Sequence, residues 1–474
     1  MKTLPLITLF GVLALGCAAH VDAVVKERPL PQAFPSADAV SEGPSSAALS
    51  WREWFANERL NGLIEEALQG NQDLLIAVQR IEMARASVTS TTGALLPTVD
   101  VTAGVGLRRF GLYTMDGAGN ATTDIAPGQP VPLHLPDFGV GLQSVWEVDL
   151  WGRLRSQRQS AIAQYLATVE ARTLVRTSLV AEVASGYYDL VMSDHTLEVL
   201  RRAVERQEQA LAIVKLQKEA GRSTELAVQQ FEAQLAETKA LARAARQKVL
   251  ESENRLNLLL GRYPTQLERD RDVLFAEPPR TLSAGVPSEL LRNRPDVRQA
   301  ELLVEASKFD LKAARAAFFP SLNLSATVGL QAFNPAYLVS IPESVAYSVL
   351  GGLIAPLVNR AAIEAQFEGA KANQLQAMYE YQRTVLSAYV EVVNALADVQ
   401  NTEEILSHRR SQKAAVEGAI ASADILYRAG KASYLEVLLA QQSALQAELD
   451  LLEAARQRRT ALVSVYRALG GGVQ

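Results

Sequence analysis

Along most of this chain, apolar residues recur every three or four positions. One stripe reads Val180, Val183, Tyr187, Leu190, Asp194, Leu197, Arg201, Val204, Glu208 and Leu211. A second runs Val392, Ala395, Val399, Thr402, Leu406, Arg409, Lys413, Val416, Ile420, Ala423 and Tyr427, and a third Leu435, Leu438, Gln442, Leu445, Leu449 and Leu452. Spacings that alternate three and four belong to helices packed along one seam. Proline is absent from 137 to 263 and from 357 to 474. Each interior proline would cost roughly 3 kcal/mol, so these tracts can be helical almost throughout. The pattern predicts helices over about 154–220, 224–260, 360–428 and 433–468. The first would be ~100 Å long at about 1.5 Å per residue. Gly221 and Gly430 fall where the rods must turn back, because glycine accepts the left-handed conformation that ends a helix.

Four shorter segments carry a period of two. In 98–107, Val99, Val101, Ala103, Val105 and Leu107 alternate with Thr98, Asp100, Thr102, Gly104 and Gly106. In 138–150, Phe138, Val140, Leu142, Trp146, Val148 and Leu150 alternate with Gly139, Gly141, Gln143, Glu147 and Asp149. Leu322, Leu324, Ala326, Val328 and Leu330 share one face of 321–330. Val345, Tyr347, Val349, Leu353 and Leu357 share one face of 344–357. Segments of about ten residues, apolar on one face and polar on the other, match strands of a membrane β-barrel; the alternative is a soluble sheet packed on the helices of a lipid-anchored periplasmic coiled-coil structural or adaptor protein. Phe110, Trp151 and Phe333 near their ends fit an interfacial girdle. Open sheet edges are not tolerated in lipid, and four strands cannot close a barrel. Eight pooled strands would leave an interior filled by side chains, so three chains giving twelve are the better route to a pore.

The order of elements occurs twice. Leu95-Leu96-Pro97-Thr98-Val99 is echoed by Phe318-Phe319-Pro320-Ser321-Leu322, and Leu150-Trp151-Gly152-Arg153 by Leu357-Val358-Asn359-Arg360. Ala220-Gly221-Arg222 is echoed by Ala429-Gly430-Lys431. Two repeats follow, 51–261 and 288–474, joined by a proline-bearing linker over 262–287. Each reads as a helix, two strands and two long helices. The first copy carries a longer loop over 111–137.

Composition narrows the function. A net charge of −5 from 47 basic and 52 acidic residues leaves no general basic footprint for nucleic acid. One cysteine in 474 residues excludes an internal disulfide framework and a cysteine-based zinc site. The four histidines are dispersed, and no phosphate loop or nucleophile elbow is present. No catalytic constellation, metal site or cofactor site is expected, so the chain does not read as an enzyme. The cysteine stands at position 17, after Lys2 and the apolar run Leu4–Leu15. That arrangement reads as a signal peptide over 1–16. Leu13-Ala14-Leu15-Gly16-Cys17 resembles a bacterial lipobox, which implies lipid attachment at Cys17 and, with Ala18 following, an outer-membrane address. Residues 17–50, with four prolines among Ser and Ala, read as an anchored strap.

Four further motifs carry a family resemblance. They are Glu147-Val148-Asp149-Leu150-Trp151-Gly152-Arg153, Asn293-Arg294-Pro295-Asp296-Val297-Arg298, Ala314-Arg315-Ala316-Ala317-Phe318-Phe319-Pro320-Ser321-Leu322 and Tyr427-Arg428-Ala429-Gly430-Lys431. With them the chain resembles the outer-membrane efflux proteins of the TolC/OprM/NodT type, in the lipoprotein branch serving resistance-nodulation-division (RND) pumps. The resemblance implies a mostly helical fold with a membrane β-barrel: a homotrimer of twelve strands continued by a twelve-helix barrel across the periplasm. It implies a periplasmic adaptor and an inner-membrane RND transporter as partners, and passive exit of drugs or other small molecules. A polar lumen face would be lined by Asp100, Gln143, Glu147, Asp149 and Asn323. The far turns, with Gly221, Arg222, Gly430 and Lys431, would meet the adaptor. The resemblance also places a gate there, with Tyr427 and Glu436 matching two of its four positions. The other two are occupied by Ala432 and Leu439.

Overall fold

A computed structural model describes residues 29–32, 34, 46, 49–277, 287–356, 358 and 360–471. The signal segment, Cys17 and most of the strap lie outside the described residues.

In chain order the elements are α1 (Trp51–Phe55), α2 (Glu58–Gly70), α3 (Gln72–Gly93), β1 (Thr98–Arg108), α4 (Met115–Thr122), β2 (Asp124–Ala126), β3 (Gln129–Pro130) and β4 (Leu135–Val148). There follow α5 (Arg153–Glu219), α6 (Glu225–Leu259), α7 (Leu290–Asn293), α8 (Pro295–Ala316), β5 (Ser321–Ala332), β6 (Val345–Ile354), α9 (Ala361–Arg428) and α10 (Tyr434–Ala468). The loop between β1 and β4 holds α4 and the small β2–β3 ribbon.

The helices α5 and α9, of 67 and 68 residues, are rods of ~100 Å. The half-length helices α6 and α10 return along their far ends, while α3 and α8 pack on their strand-proximal ends. Both rods close in the same way. Gly221 and Gly430 have φ of 72° and 68°. The N–H of Arg222 donates to the Gln217 carbonyl at 2.8 Å, and that of Lys431 to the Leu426 carbonyl at 2.9 Å. A left-handed residue and this six-to-one bond together terminate a helix, and a Cβ would oppose that backbone.

The core lies where the two repeats meet. Tyr187, Leu190 and Val183 of α5, Leu256 and Leu260 around the end of α6, and Ala455 and Tyr466 of α10 are buried together. Trp54 and Phe55 of α1 close on the Tyr466 ring at 5.6 and 5.4 Å. Phe34 stacks on Tyr389 of α9 at 5.5 Å. The linker is clipped down by Arg269, which pairs with Asp194 and, at 2.8 Å, with Glu253. This explains a charged residue on the α5 seam. Beyond Asp194 the buried face moves one position, to Leu200, Ala203, Gln207 and Val214, leaving Arg201 and Glu208 exposed. A straight 3.6-residue helix drifts against a strict heptad, and the charged positions take the outward side. The α9 stripe, in contrast, stays on the packed side from Val392 to Tyr427.

The four long strands form one antiparallel sheet in the order β1-β4-β5-β6, so β1 and β6 are edges. Its register is regular. Asp100 lies opposite Gln143, Gln143 opposite Thr327, and Thr327 opposite Ser348. One row away, Val101 faces Leu142, Leu142 faces Val328, and Val328 faces Tyr347.

Candidate functional site

Strand parity divides the sheet into two unlike faces. One holds Val99, Val101, Ala103, Val105 and Leu107 of β1 with Phe138, Val140, Leu142, Leu322, Leu324, Val328, Val345, Val349 and Leu353. It carries no charged residue among these paired positions. None of the described residues covers it: Val101 is 78% exposed, Val105 79% and Val349 76%. An uncovered apolar patch of this size marks a contact with lipid or another protein. The other face carries Asp100, Gln143, Glu147, Asn323, Thr327, Ser348 and several glycines. The Thr327 and Ser348 hydroxyls join across strands at 2.9 Å. On this face Gly141 and Gly329 oppose one another so closely that a Cβ on Gly141 would stand 2.6 Å from the Val328 carbonyl oxygen. The two strands approach because neither residue has a side chain.

Of the residues expected to line a lumen, Asp100, Gln143 and Asn323 lie on the polar face, as does Glu147 at its foot. Glu147 is bound there by Arg153, which donates to both carboxylate oxygens at 2.8 and 2.6 Å. Asp149 departs from expectation. It lies beyond the end of β4, where its carboxylate accepts from the backbone N–H groups of Leu154 (3.1 Å) and Arg155 (3.0 Å) and from the Arg155 guanidinium (3.0 Å). Those amides belong to the first turn of α5, whose preceding residue, Gly152, has no side chain to cap them. Burial raises the Asp149 carboxyl pKa, but the three N–H donors and the Arg155 charge outweigh it and hold the group below its ordinary value.

Two of the sequence motifs, Glu147–Arg153 and Ala314–Leu322, meet at this junction of strands and helices, while Arg294 stands at the other end of α8. The Trp151 indole donates to the Pro320 carbonyl at 2.7 Å, and its ring stacks on Phe319 at 4.9 Å. Arg360 covers the Phe318 ring at 5.2 Å. Arg294 is buried among Asp296 (2.6 Å), Glu391 (2.8 Å) and the Ala468 carbonyl (2.9 Å), tying α8 to α9 and α10. These residues hold the rods to the sheet and to each other.

At the far end, Gly221, Arg222, Gly430 and Lys431 form two exposed turns. Tyr427 donates its phenol hydrogen to the Gln217 side-chain carbonyl at 2.5 Å, linking the two helical hairpins. Burial raises the Tyr427 pKa, so the phenol keeps its proton. Glu436 does not take part. It accepts from the Ser433 N–H at 2.5 Å, inside the first turn of α10. Arg428 pairs with Asp424 of its own helix, at 2.8 Å. A small cluster of Val214, Ala227, Val228, Phe231 and Leu438 packs behind the turns, and Gln442 bonds Gln234 across the same seam. Gln217, Gln234 and Phe231 escaped the sequence reading because their partners lie about two hundred residues away. The only local signal was a glutamine one turn before the helix end.

Among the described residues no helix is long and apolar enough to cross a membrane, and no group of three or more His, Cys, Asp or Glu residues could hold a metal ion. A family model described as outer membrane efflux protein matches residues 63–262 and 286–471. The chain is 28% identical to the cation efflux system protein CusC of Escherichia coli O6:H1 over the full length of both. It is also 28% identical to the probable efflux pump outer membrane protein TtgC of Pseudomonas putida, across 99% of this chain and 96% of that one. The structure is similar to the open state of the MtrE outer membrane channel of Neisseria gonorrhoeae, with a TM-score of 0.82 and 27% identity, covering 95% of this chain and 98% of that one.

Proposed function

The chain belongs to the outer membrane efflux protein family, and from that premise we propose that it is the passive exit duct of a tripartite RND-type pump. It carries small molecules across periplasm and outer membrane. The observation that carries this reading is the four-stranded sheet, with an uncovered apolar face, a polar face and two unpaired edges. In lipid such edges must be closed by another chain. Three copies pair β1 of one with β6 of the next and enclose the polar face as a lumen. The rods then continue the duct towards the inner membrane. Cys17 is its lipid anchor, two or three acyl chains holding far more firmly than one.

The two turns at Gly221–Arg222 and Gly430–Lys431 meet the periplasmic adaptor, and the inner-membrane transporter supplies the energy. The Tyr427–Gln217 bond and the cluster behind it hold the tip shut at rest. No residue acts chemically on the cargo. CusC is named for cation efflux and TtgC for an efflux pump, and either cations or organic solutes are compatible with a duct of this kind.

The direct test is heat-modifiable migration of the protein from outer-membrane fractions, with single-channel recording of the purified protein in planar bilayers. A detergent-stable trimer with a conducting state is expected. A monomer released in soluble form by Cys17→Ser would instead indicate a lipid-anchored periplasmic structural protein.

A further inference from the structure

The proposed lumen face can be accounted for charge by charge. Its paired strand positions carry four ionisable residues, Asp100, Arg108, Asp137 and Glu147. Arg108 pairs with Asp137 at 3.1 Å, and Gln331 donates to the same carboxylate at 2.7 Å. Glu147 is neutralised at the foot of the sheet by Arg153, at 2.6 Å. Asp100 has no ionic partner among the described residues and is exposed. Its row, Gln143, Thr327 and Ser348, is polar but uncharged. The next row on that face, Thr102, Gly141, Gly329 and Ala346, is made of small residues and leaves the bore open beside it.

We infer that Asp100 sets the charge preference of the strand-lined part of the duct, favouring cationic solutes. The inference rests on the reading that the polar face lines a lumen. The paired charges at either end of the strands cancel locally. Asp100, the third residue of β1, therefore supplies the uncompensated field of this face, repeated once per copy around the bore. A passage with low-dielectric walls focuses such a field and enriches counter-ions locally. Rings of carboxylates favour cations in this way.

The test uses Gln143→Cys in the full-length chain, reconstituted in planar bilayers. Residue 143 is the direct cross-strand neighbour of Asp100, where Cβ atoms stand about 5 Å apart. Cationic and anionic methanethiosulfonate reagents of similar size are added on the side of the strand loops. This route avoids the tip. Rates of current block are normalised to the reaction of each reagent with a free thiol, and the chain without the added cysteine controls for Cys17. The cationic reagent should react roughly tenfold faster. In Gln143→Cys/Asp100→Asn the ratio should fall to about one, and in Gln143→Cys/Asp100→Lys it should invert. The preference should also shrink between about 0.1 M and 1 M salt, where the Debye length drops from ~10 Å to ~3 Å. An unchanged ratio in the Asp100→Asn background overturns the inference and leaves the duct reading standing. A conducting channel whose introduced thiol neither reagent modifies, read by mass after the same exposure in reconstituted vesicles, shows that this face does not line the pore, and it removes both.

Discussion

At the scale of single residues, Asp149 shows how position along a strand decides a role. Parity alone puts it on the polar face with Glu147. The strand ends at Val148, however, and the chain turns so that the carboxylate reaches the first amides of α5. An alternating pattern reports a face only while the strand lasts, so this role was not legible beforehand. The consequence is a pH dependence with a definite sign. The folded carboxyl is held below its ordinary 3.8, so its stabilising contribution is complete above that value. It is lost as pH falls through the lower, folded value. The protection factors of the Leu154 and Arg155 amides, taken against the intrinsic exchange rate at each pH, should be flat at neutral pH and fall only below about pH 4. Asp149→Ala should lower that protection at neutral pH, by about 1 kcal/mol of local stability, the usual worth of a lost cap, and abolish its fall in acid. The glycines on the same face make a second residue-scale prediction. A Cβ at Gly141 meets Gly329 Cα at 2.8 Å, whereas one at Gly104 meets nothing within 4 Å. Gly141→Val should cost about 1–3 kcal/mol by overpacking and lower the yield of heat-modifiable oligomer. Gly104→Ala should leave that yield unchanged.

At the scale of elements, the long helices were almost wholly legible. Absence of proline, the three-four spacing and a terminal glycine are all local signals. The structure ends α5 at Glu219 and α9 at Arg428, beside the expected turns. The contacts between helices were less so, because they depend on side chains distant in sequence. Tyr427 was singled out by resemblance, but its partner Gln217 was not, and Glu436 proved to serve its own helix end. The seam nearest the tip is therefore closed by neutral groups: a phenol, amides and the apolar cluster around Leu438. Ion pairs join the two hairpins only farther up, where Arg202 meets Glu448 at 2.9 Å. Neutral contacts are little affected by screening, so closed-state conductance, corrected for bulk conductivity, should hold steady as salt rises. Leu438 is buried, and Leu438→Ala should weaken the cluster by about 2–4 kcal/mol. Longer and more frequent openings of single channels are the expected record, with Tyr427→Phe giving a smaller change in the same direction. Brief, unchanged openings in Leu438→Ala would place the closing contacts elsewhere.

At the scale of the whole molecule, the sheet makes sense only with more of itself. A soluble protein of this length buries its large apolar residues, yet here the apolar residues of four consecutive strands stand open on one side. Packing within the chain does not explain them. A lipid surround does, and it makes adjacent residues behave oppositely. Val101 and Thr102 are adjacent in β1, at nearly the same depth along the strand, and present opposite faces. An arginine facing lipid costs up to about 2–4 kcal/mol in each copy, the more the nearer it is to the bilayer midplane, whereas one facing a watery lumen costs little. Three copies triple the difference. Val101→Arg should therefore abolish the heat-modifiable species in outer-membrane fractions, and Thr102→Arg should preserve it. The second variant should also lower cation preference in bilayers, because its charge stands beside Asp100. If both variants assemble equally well, the apolar face is covered by protein rather than lipid. The sheet would then pack in a soluble assembly, with its edges closed by hydrogen bonds outside the membrane.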